Sequence, residues 1–552
     1  MCKLACAPAA LVRSKLHTLR VLLLGLLLAA SAALAQTPPP KLLVFIIIDG
    51  LPQRQVTGYR DQFAPDGFAR FLDRGAAFSE AHFGHAVTVT APGHATLFTG
   101  ASPARHGIIG NEWRDPQTGA AVYSTGDATA TYIGQRTQAL DGTSPRNLKV
   151  ETVGDVLRRA DPRSRVIAIA GKDRAAILPA GQAGTAYMYM AGSGQFASTS
   201  WYMQQHPAWV DAFNAAKPAD RYFQAEWKAL LPEAAYARSL PDGRLGPRAQ
   251  LPMRMGRPGD AKPNAAFYGS LLGSPFADAL ALEFARAAIA GEQLGRDDAP
   301  DLLVVSLSGH DYVNHTWSAE SRLSHDHVLQ LDSLLQDFFR DLDAGVGRDN
   351  YVAVLSSDHG FMPAPEWTLA QGRPAGRITG AAMVQRVNLA LERRFGVARL
   401  VLGTSASALV LDRALLAQRG LDADTVAGAA REALLAEPGI AAAYTRRELE
   451  GGSRAGAMHF EAVRRSWHRE RSGDVQYVTR PDWMFGTATA THGSPHDYDN
   501  HVPLLFWGPR WIRPQAVAAA VDMVDVAPTL ARLLQVPAPA ASEGRVLPLA
   551  AP

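Results

Sequence analysis

Six side chains suited to holding divalent cations stand in four short clusters of this 552-residue chain. Asp49 closes the run Phe45-Ile46-Ile47-Ile48-Asp49-Gly50. Asp311 and His315 lie four apart in Ser308-Gly309-His310-Asp311-Tyr312-Val313-Asn314-His315, so on a helical turn they share one face. Asp358 and His359 follow an apolar run in Ser356-Ser357-Asp358-His359-Gly360, and His492 lies in Thr491-His492-Gly493-Ser494-Pro495-His496, with His496 as a reserve donor. A single aspartate after a strand is ordinarily a cap or turn former. Four such clusters together are poorly explained that way. Three Asp and three His divide into two sets of three protein ligands with open positions, the pattern of catalytic zinc, whereas magnesium prefers oxygen donors. Two zinc ions a few ångströms apart would hold the attacking and departing oxygens of a phosphoryl transfer.

A nucleophile candidate lies between the first two clusters. The segment from His85 to Gly100 contains Thr88, Thr90 and Thr96, and continues to His106-Gly107-Ile108-Ile109-Gly110-Asn111-Glu112-Trp113. With these motifs in this order, and Ser274-Pro275-Phe276 before a helix, the chain resembles the alkaline phosphatase superfamily from about residue 40 to 535. The likeness is to its threonine-nucleophile branch of periplasmic alkaline phosphatases, with nucleotide pyrophosphatase/phosphodiesterases as near relatives. The resemblance implies Thr90 as nucleophile and metal-bound oxygen, with Asn111, 21 residues on, binding a phosphoryl oxygen. It implies one zinc on Asp311, His315 and His492 and the other on Asp49, Asp358 and His359. Ala170-Gly171-Lys172-Asp173-Arg174 resembles the pair of cations, Lys172 and Arg174, with which monoesterases of this branch grip phosphate. A sulfatase is disfavoured, because Thr90-Ala91-Pro92-Gly93-His94 lacks both the convertible Cys or Ser and the arginine of that branch.

Formal charge agrees with a monoester substrate. Two Zn²⁺ are balanced by Asp49, Asp311, Asp358 and a Thr90 alkoxide, so Lys172 and Arg174 remain to match a dianion better than a singly charged diester. The expectation is a zinc-dependent alkaline phosphatase acting through phosphothreonine on small phosphate esters, tolerant of leaving group. A phosphodiesterase or nucleotide pyrophosphatase on the same scaffold is the alternative.

The elements that would position these residues form an α/β fold, a central mostly parallel sheet with helices on both faces. Apolar runs predict strands at 42–48, 166–170, 302–307, 352–355 and 503–507. Periodicity predicts helices at 276–289 and 323–342, and Asp525 is placed to cap a helix with Pro528 in its first turn. Residues 175–270 are rich in Gly, Pro and aromatics with weak periodicity, and are expected to be an insertion on the substrate side. Residues 375–480, with the alternating stretch 399–411, are expected to form a smaller α+β subdomain.

Bulk properties exclude other classes. The 55 basic and 52 acidic residues leave a net charge of +3, too balanced to point to nucleic acid as a partner. A basic lead, the apolar run Val21 to Leu28 and the end Ala33-Leu34-Ala35 before Gln36 read as a signal peptide over 1–35, cleaved near Ala35-Gln36. The catalytic domain would then span 36–552, periplasmic or secreted, without a membrane anchor. Cys2 and Cys6 both fall in that leader, so any metal must be held by His and carboxylate. Oligomeric state has no signature in the sequence.

Overall fold

A computed structural model describes residues 37–245 and 250–551. The leader expected at 1–35 lies outside the described residues. The central sheet contains β1 (Leu42–Ile48), β2 (Ala76–Phe78), β3 (Val166–Ala170), β4 (Thr185–Met190), β5 (Gln195–Ala197), β6 (Asp301–Leu307) and β7 (Tyr351–Ser356). A smaller sheet follows, with β8 (Val401–Ser405), β9 (Ala408–Leu411), β10 (Ile440–Thr445) and β11 (Val475–Thr479); β12 (Leu504–Trp507) and β13 (Gln515–Val517) return to the central one. The nine central strands run in the order β13-β2-β12-β7-β1-β6-β3-β4-β5. The middle five, β7-β1-β6-β3-β4, are mutually parallel, whereas β12 is antiparallel to β7 and β5 to β4.

The principal helices are α1 (Thr90–Thr99), α2 (Asp173–Ala180), α3 (Pro275–Gly291), α4 (Gly309–Trp317), α5 (Arg322–Leu342), α6 (Gly380–Phe395), α7 (Ala423–Leu435) and α8 (Val526–Leu534). All seven residues of β1 are fully buried because alternate side chains enter two different cores. Leu42, Val44, Ile46 and Ile48 pack with Phe284 of α3 and Leu331, Leu335 and Phe338 of α5. Leu43, Phe45 and Ile47 pack on the other face with Leu97 and Phe98 of α1, Ile177 of α2 and Leu530 of α8.

Within 175–270, β4 and β5 extend the central sheet at its edge. Asp525 stands immediately before α8 with Pro528 in its first turn, as expected, but its side chain accepts no N–H of α8. Asp522 instead caps the short 3-10 turn Met523–Asp525 that leads into α8, in a reciprocal box with Asp525. In 375–480, β8-β9-β11-β10 form a four-stranded sheet, and residues of α6 and α7 such as Met383 and Val426 share its core. Among the described residues no helix is long and apolar enough to cross a membrane.

Candidate active site

Strands β7, β1, β6 and β3 are neighbours and parallel, so their carboxyl ends make one rim, where open α/β sheets bind ligands. Asp49 leaves β1, and its N–H donates to the Leu307 carbonyl at the end of β6, 3.0 Å away. Gly50 follows with φ +74° and donates its N–H to Asp358 Oδ1 at 3.1 Å. A Cβ at Gly50 would lie 3.3 Å from the Asp311 Cα, so the turn favours glycine twice over, by conformation and by space. Helix α4 starts directly after β6 and carries Asp311 in its first turn and His315 one turn later. Its first N–H, at Gly309, donates to Asp278 Oδ1 at 3.1 Å. Asp358 and His359 follow β7, and Lys172 follows β3.

The six expected metal donors converge. Asp311 Oδ1 lies 3.4 Å from Nε2 of both His315 and His492, and 4.0 Å from Nε2 of His359. His359 Nε2 is 3.4 Å from Asp49 Oδ1 and 3.5 Å from Asp358 Oδ2. Each ring is aimed by its other nitrogen. Nδ1 of His315, His359 and His492 donates to the carbonyls of Ala490, Gly360 and Thr88 at 3.0, 2.9 and 2.9 Å, which turns the Nε2 atoms into the cluster. Asp49 Oδ1, Asp311 Oδ1, Asp358 Oδ2 and His359 Nε2 are buried without a hydrogen-bond partner, and Asp49 Oδ2 meets only the Lys172 ammonium. Orphaned buried carboxylate oxygens are costly, and a divalent cation is what satisfies such a set.

The grouping differs in one respect from the sequence expectation. Asp311, His315 and His492 form one tight group, but the second tight group is Asp49, Asp311 and His359, with Asp358 adjoining through His359. Asp311 therefore sits between the two positions. A third group, Glu80, His82 and His501, is unlike these. Its Glu80 is exposed, and its histidines are engaged elsewhere, His501 Nε2 with the Ser79 carbonyl at 2.7 Å and His82 Nδ1 with Asn500 Oδ1 at 3.2 Å.

Electrostatics follow from three buried carboxylates in one place. Burial opposes the His359 imidazolium, yet Asp358, Asp49 and Asp311 outweigh it and lift its pKa to about 9. Burial, and then the positive charge on His359, push His492 down to about 3, so it is the neutral ring that can ligate. Burial works against the Lys172 ammonium, but Asp311 and Asp49 hold its pKa above the ordinary lysine value. Its Nζ is 2.6 Å from Asp311 Oδ2 and 2.8 Å from Asp49 Oδ2, with the Tyr312 ring 5.2 Å below.

Thr90 is the first residue of α1 and is buried, after an extended Val89. A Cβ at Gly93 would run into the Asp358 carbonyl oxygen, so only glycine lets α1 come this close to Asp358. The rival hydroxyls are occupied. Thr88 Oγ1 donates to the Ser494 carbonyl at 2.8 Å, and Thr96 Oγ1 pairs with His106 Nε2 at 3.2 Å. The reserve donor His496 points elsewhere, its Nε2 donating to the Thr479 carbonyl at 2.9 Å. Asn111 accepts the Ala91 N–H on Oδ1 at 2.8 Å, which fixes the orientation of its amide.

Three supporting residues escaped the sequence reading. His94 donates from Nδ1 to the Thr90 carbonyl at 2.9 Å, 3.3 Å from Asp358 Oδ2, while Nε2 meets Ser306 Oγ at 2.9 Å. Its four-residue spacing from Thr90 was the available signal. Arg174 Nη1 donates to Tyr123 Oη at 3.0 Å, and the Tyr123 hydroxyl donates to Asp173 Oδ1 at 2.6 Å. Asp173 stood between the two cations in sequence, but Tyr123 carried no signal, because it meets Asp173 only through the fold.

Comparison with known proteins agrees with this geometry. Residues 43–501 match the family model described as type I phosphodiesterase / nucleotide pyrophosphatase. The chain is 33% identical over 544 residues to alkaline phosphatase PafA of Elizabethkingia meningoseptica, covering 95% of this chain and 97% of that one. It is 33% identical over 515 residues to alkaline phosphatase PhoV of Synechococcus elongatus, covering 92% of each. The crystal structure of wild-type PafA superposes with a TM-score of 0.85 at 31% identity, over 93% of this chain and 99% of that one. A shared sheet, a shared order of motifs and near full-length similarity have one explanation: the chain belongs to the type I phosphodiesterase / nucleotide pyrophosphatase family, within the alkaline phosphatase superfamily.

Proposed function

We propose that this protein is a zinc-dependent phosphate-monoester hydrolase, an alkaline phosphatase that works through phosphothreonine at Thr90. The observation that carries it is the set of orphaned carboxylate and imidazole atoms gathered at the sheet rim, with α1 brought against Asp358. Asp311, His315 and His492 would hold one zinc, and Asp49, Asp358 and His359 the other, with Thr90 Oγ as a further donor. Bound zinc supplies Lewis-acid polarisation that favours an ionised hydroxyl and steadies charge on a departing oxygen.

The chain's own groups do the rest. Thr90 Oγ, at the amino end of a ten-residue helix whose dipole favours negative charge there, attacks phosphorus. As the Oγ–P bond forms the ester P–O bond breaks, and the departing oxygen leaves with the electron pair. Water then attacks the phosphothreonine, releasing phosphate and restoring the hydroxyl. Because Asn111 Oδ1 is occupied by the Ala91 N–H, its Nδ2 protons are available to a phosphoryl oxygen. Lys172 and Arg174 offset the dianion, and Tyr123 steadies Arg174. The expected substrates are small phosphate esters, and the leader read at 1–35 fits export to a periplasm or beyond.

Mass spectrometry of enzyme acid-quenched during turnover of p-nitrophenyl phosphate tests the proposal, with phosphate expected on Thr90. An enzyme that turns over while Thr90 stays unmodified overturns it. Faster cleavage of bis-p-nitrophenyl phosphate than of the monoester would replace it with a diesterase.

A further inference from the structure

A cavity of about 330 Å³ opens beside the reacting groups. Val89, Asn111 and His492 wall it on the side of the nucleophile, and aromatic wall comes from Tyr477 in the middle of β11 and from Trp483 and Phe485 in the segment after it. The Tyr477 and Phe485 rings are 5.5 Å apart. A further side is closed by Ala406 and Ser407, the tip of the β8–β9 hairpin. That tip is tied to the segment after Asn111, because Ser405 Oγ accepts the Arg114 N–H at 2.8 Å. Among the described residues no lysine or arginine lines the cavity, and its ionisable wall residues other than histidine and tyrosine are Glu112 and Asp499.

We propose that this cavity is the leaving-group subsite and that it takes an uncharged or cationic aryl group. The proposal rests on the monoester reading above and specifies its substrate class. Continuity with the site comes from Asn111 and His492. One is the expected phosphoryl donor and the other an expected metal donor, so an ester substituent on a phosphoryl group held between them lies at the mouth of the cavity. Its volume lies at the small end for ligand pockets and suits a single ring system. The aromatic wall rewards a flat apolar group. Lack of a cation works the other way for anionic groups, since a phosphate chain or carboxylate would lose water and meet only Glu112 and Asp499.

Phosphonates measure the subsite without chemistry. In the zinc-loaded wild type, phenylphosphonate is expected to inhibit about 10-fold or more tightly than methylphosphonate, and 4-carboxyphenylphosphonate to lose that advantage. Trp483→Ala and Phe485→Ala should each collapse the phenyl-to-methyl ratio to a few-fold or less. The ratio is internal to one sample, so a partly unfolded variant that weakens both inhibitors alike keeps the ratio and counts against the proposal. Equal inhibition by the two phosphonates in the wild type, or tighter binding of the carboxylate, also overturns it. If only the subsite is wrong, quenched enzyme still carries phosphate on Thr90 from glycerol phosphate. If no monoester phosphorylates Thr90, the monoester reading falls first.

Discussion

Gly93 and Lys172 show how single atoms set this chemistry. A methyl group at position 93 meets a backbone carbonyl, which cannot rotate away as a side chain could. Gly93→Ala is therefore expected to displace α1 from Asp358, cost about 1–3 kcal/mol and depress turnover far more than the melting temperature suggests. Parallel thermal melts and assays of the variant check this. Lys172 lies between Asp49 and Asp311, where its charge is held by two carboxylates. If it balances the second charge of a monoester, Lys172→Ala should lower kcat/KM for p-nitrophenyl phosphate about 100-fold or more, and much less for the diester. Equal losses on both substrates would refute the charge-matching assignment.

At the scale of elements, two segments hold costs that substitution can reveal. The two-residue tip of the β8–β9 hairpin has φ +44° at Ala406 and +57° at Ser407, the left-handed conformation that such turns fill with Asn-Gly. The double change Ala406→Asn, Ser407→Gly is expected to raise stability by about 1 kcal/mol, measured by denaturant unfolding. Helix α5 carries the other. Burial raises the Asp332 carboxyl to about 6, against the pull of N–H donors from Ala64 and Phe68. The folded state thus binds this proton more tightly than the unfolded chain. Its contribution is fully present below the unfolded value near 4 and is lost as pH rises through about 6. Wild-type stability should include a decline of up to about 3 kcal/mol across that window, which Asp332→Asn removes from the slope. Denaturant melts at pH 4, 5, 6 and 7 would show it.

For the whole molecule, the site lies where four neighbouring strands end, so its charge is a load on the central sheet. Three carboxylates buried together repel one another in the absence of cations. Chelation with a strong zinc ligand is expected to abolish turnover and lower the melting temperature together, and added Zn²⁺ to restore both. At a thousandfold excess of ion over its dissociation constant, the linkage is worth about 4 kcal/mol per site. Unchanged melting after complete metal removal would show that the cluster is not a cation site in the folded state.

How much of this was legible depended on burial. The strands at the centre are apolar on both faces, so β1, β3 and β6 stand out as continuous runs, and the sequence itself places the clusters that follow them at strand ends. The edge was not legible. Thr185 to Met190 and the three-residue strands β2, β5 and β13 pack less completely or are too short to show a period, and pairing with neighbours decides their state. Residue types and chain order by themselves pointed to the six candidate donors and the α/β class, because these depend on local chemistry and on periodicity, whereas the choice of Thr90 among neighbouring threonines came from the family resemblance. The tertiary structure alone decided that Asp311 belongs to both candidate donor groups, that Tyr123 steadies Arg174, and that a cavity with no cation among its described lining adjoins Asn111. Those are relations between segments far apart in the chain, which composition and spacing do not encode and which only packing brings within a few ångströms.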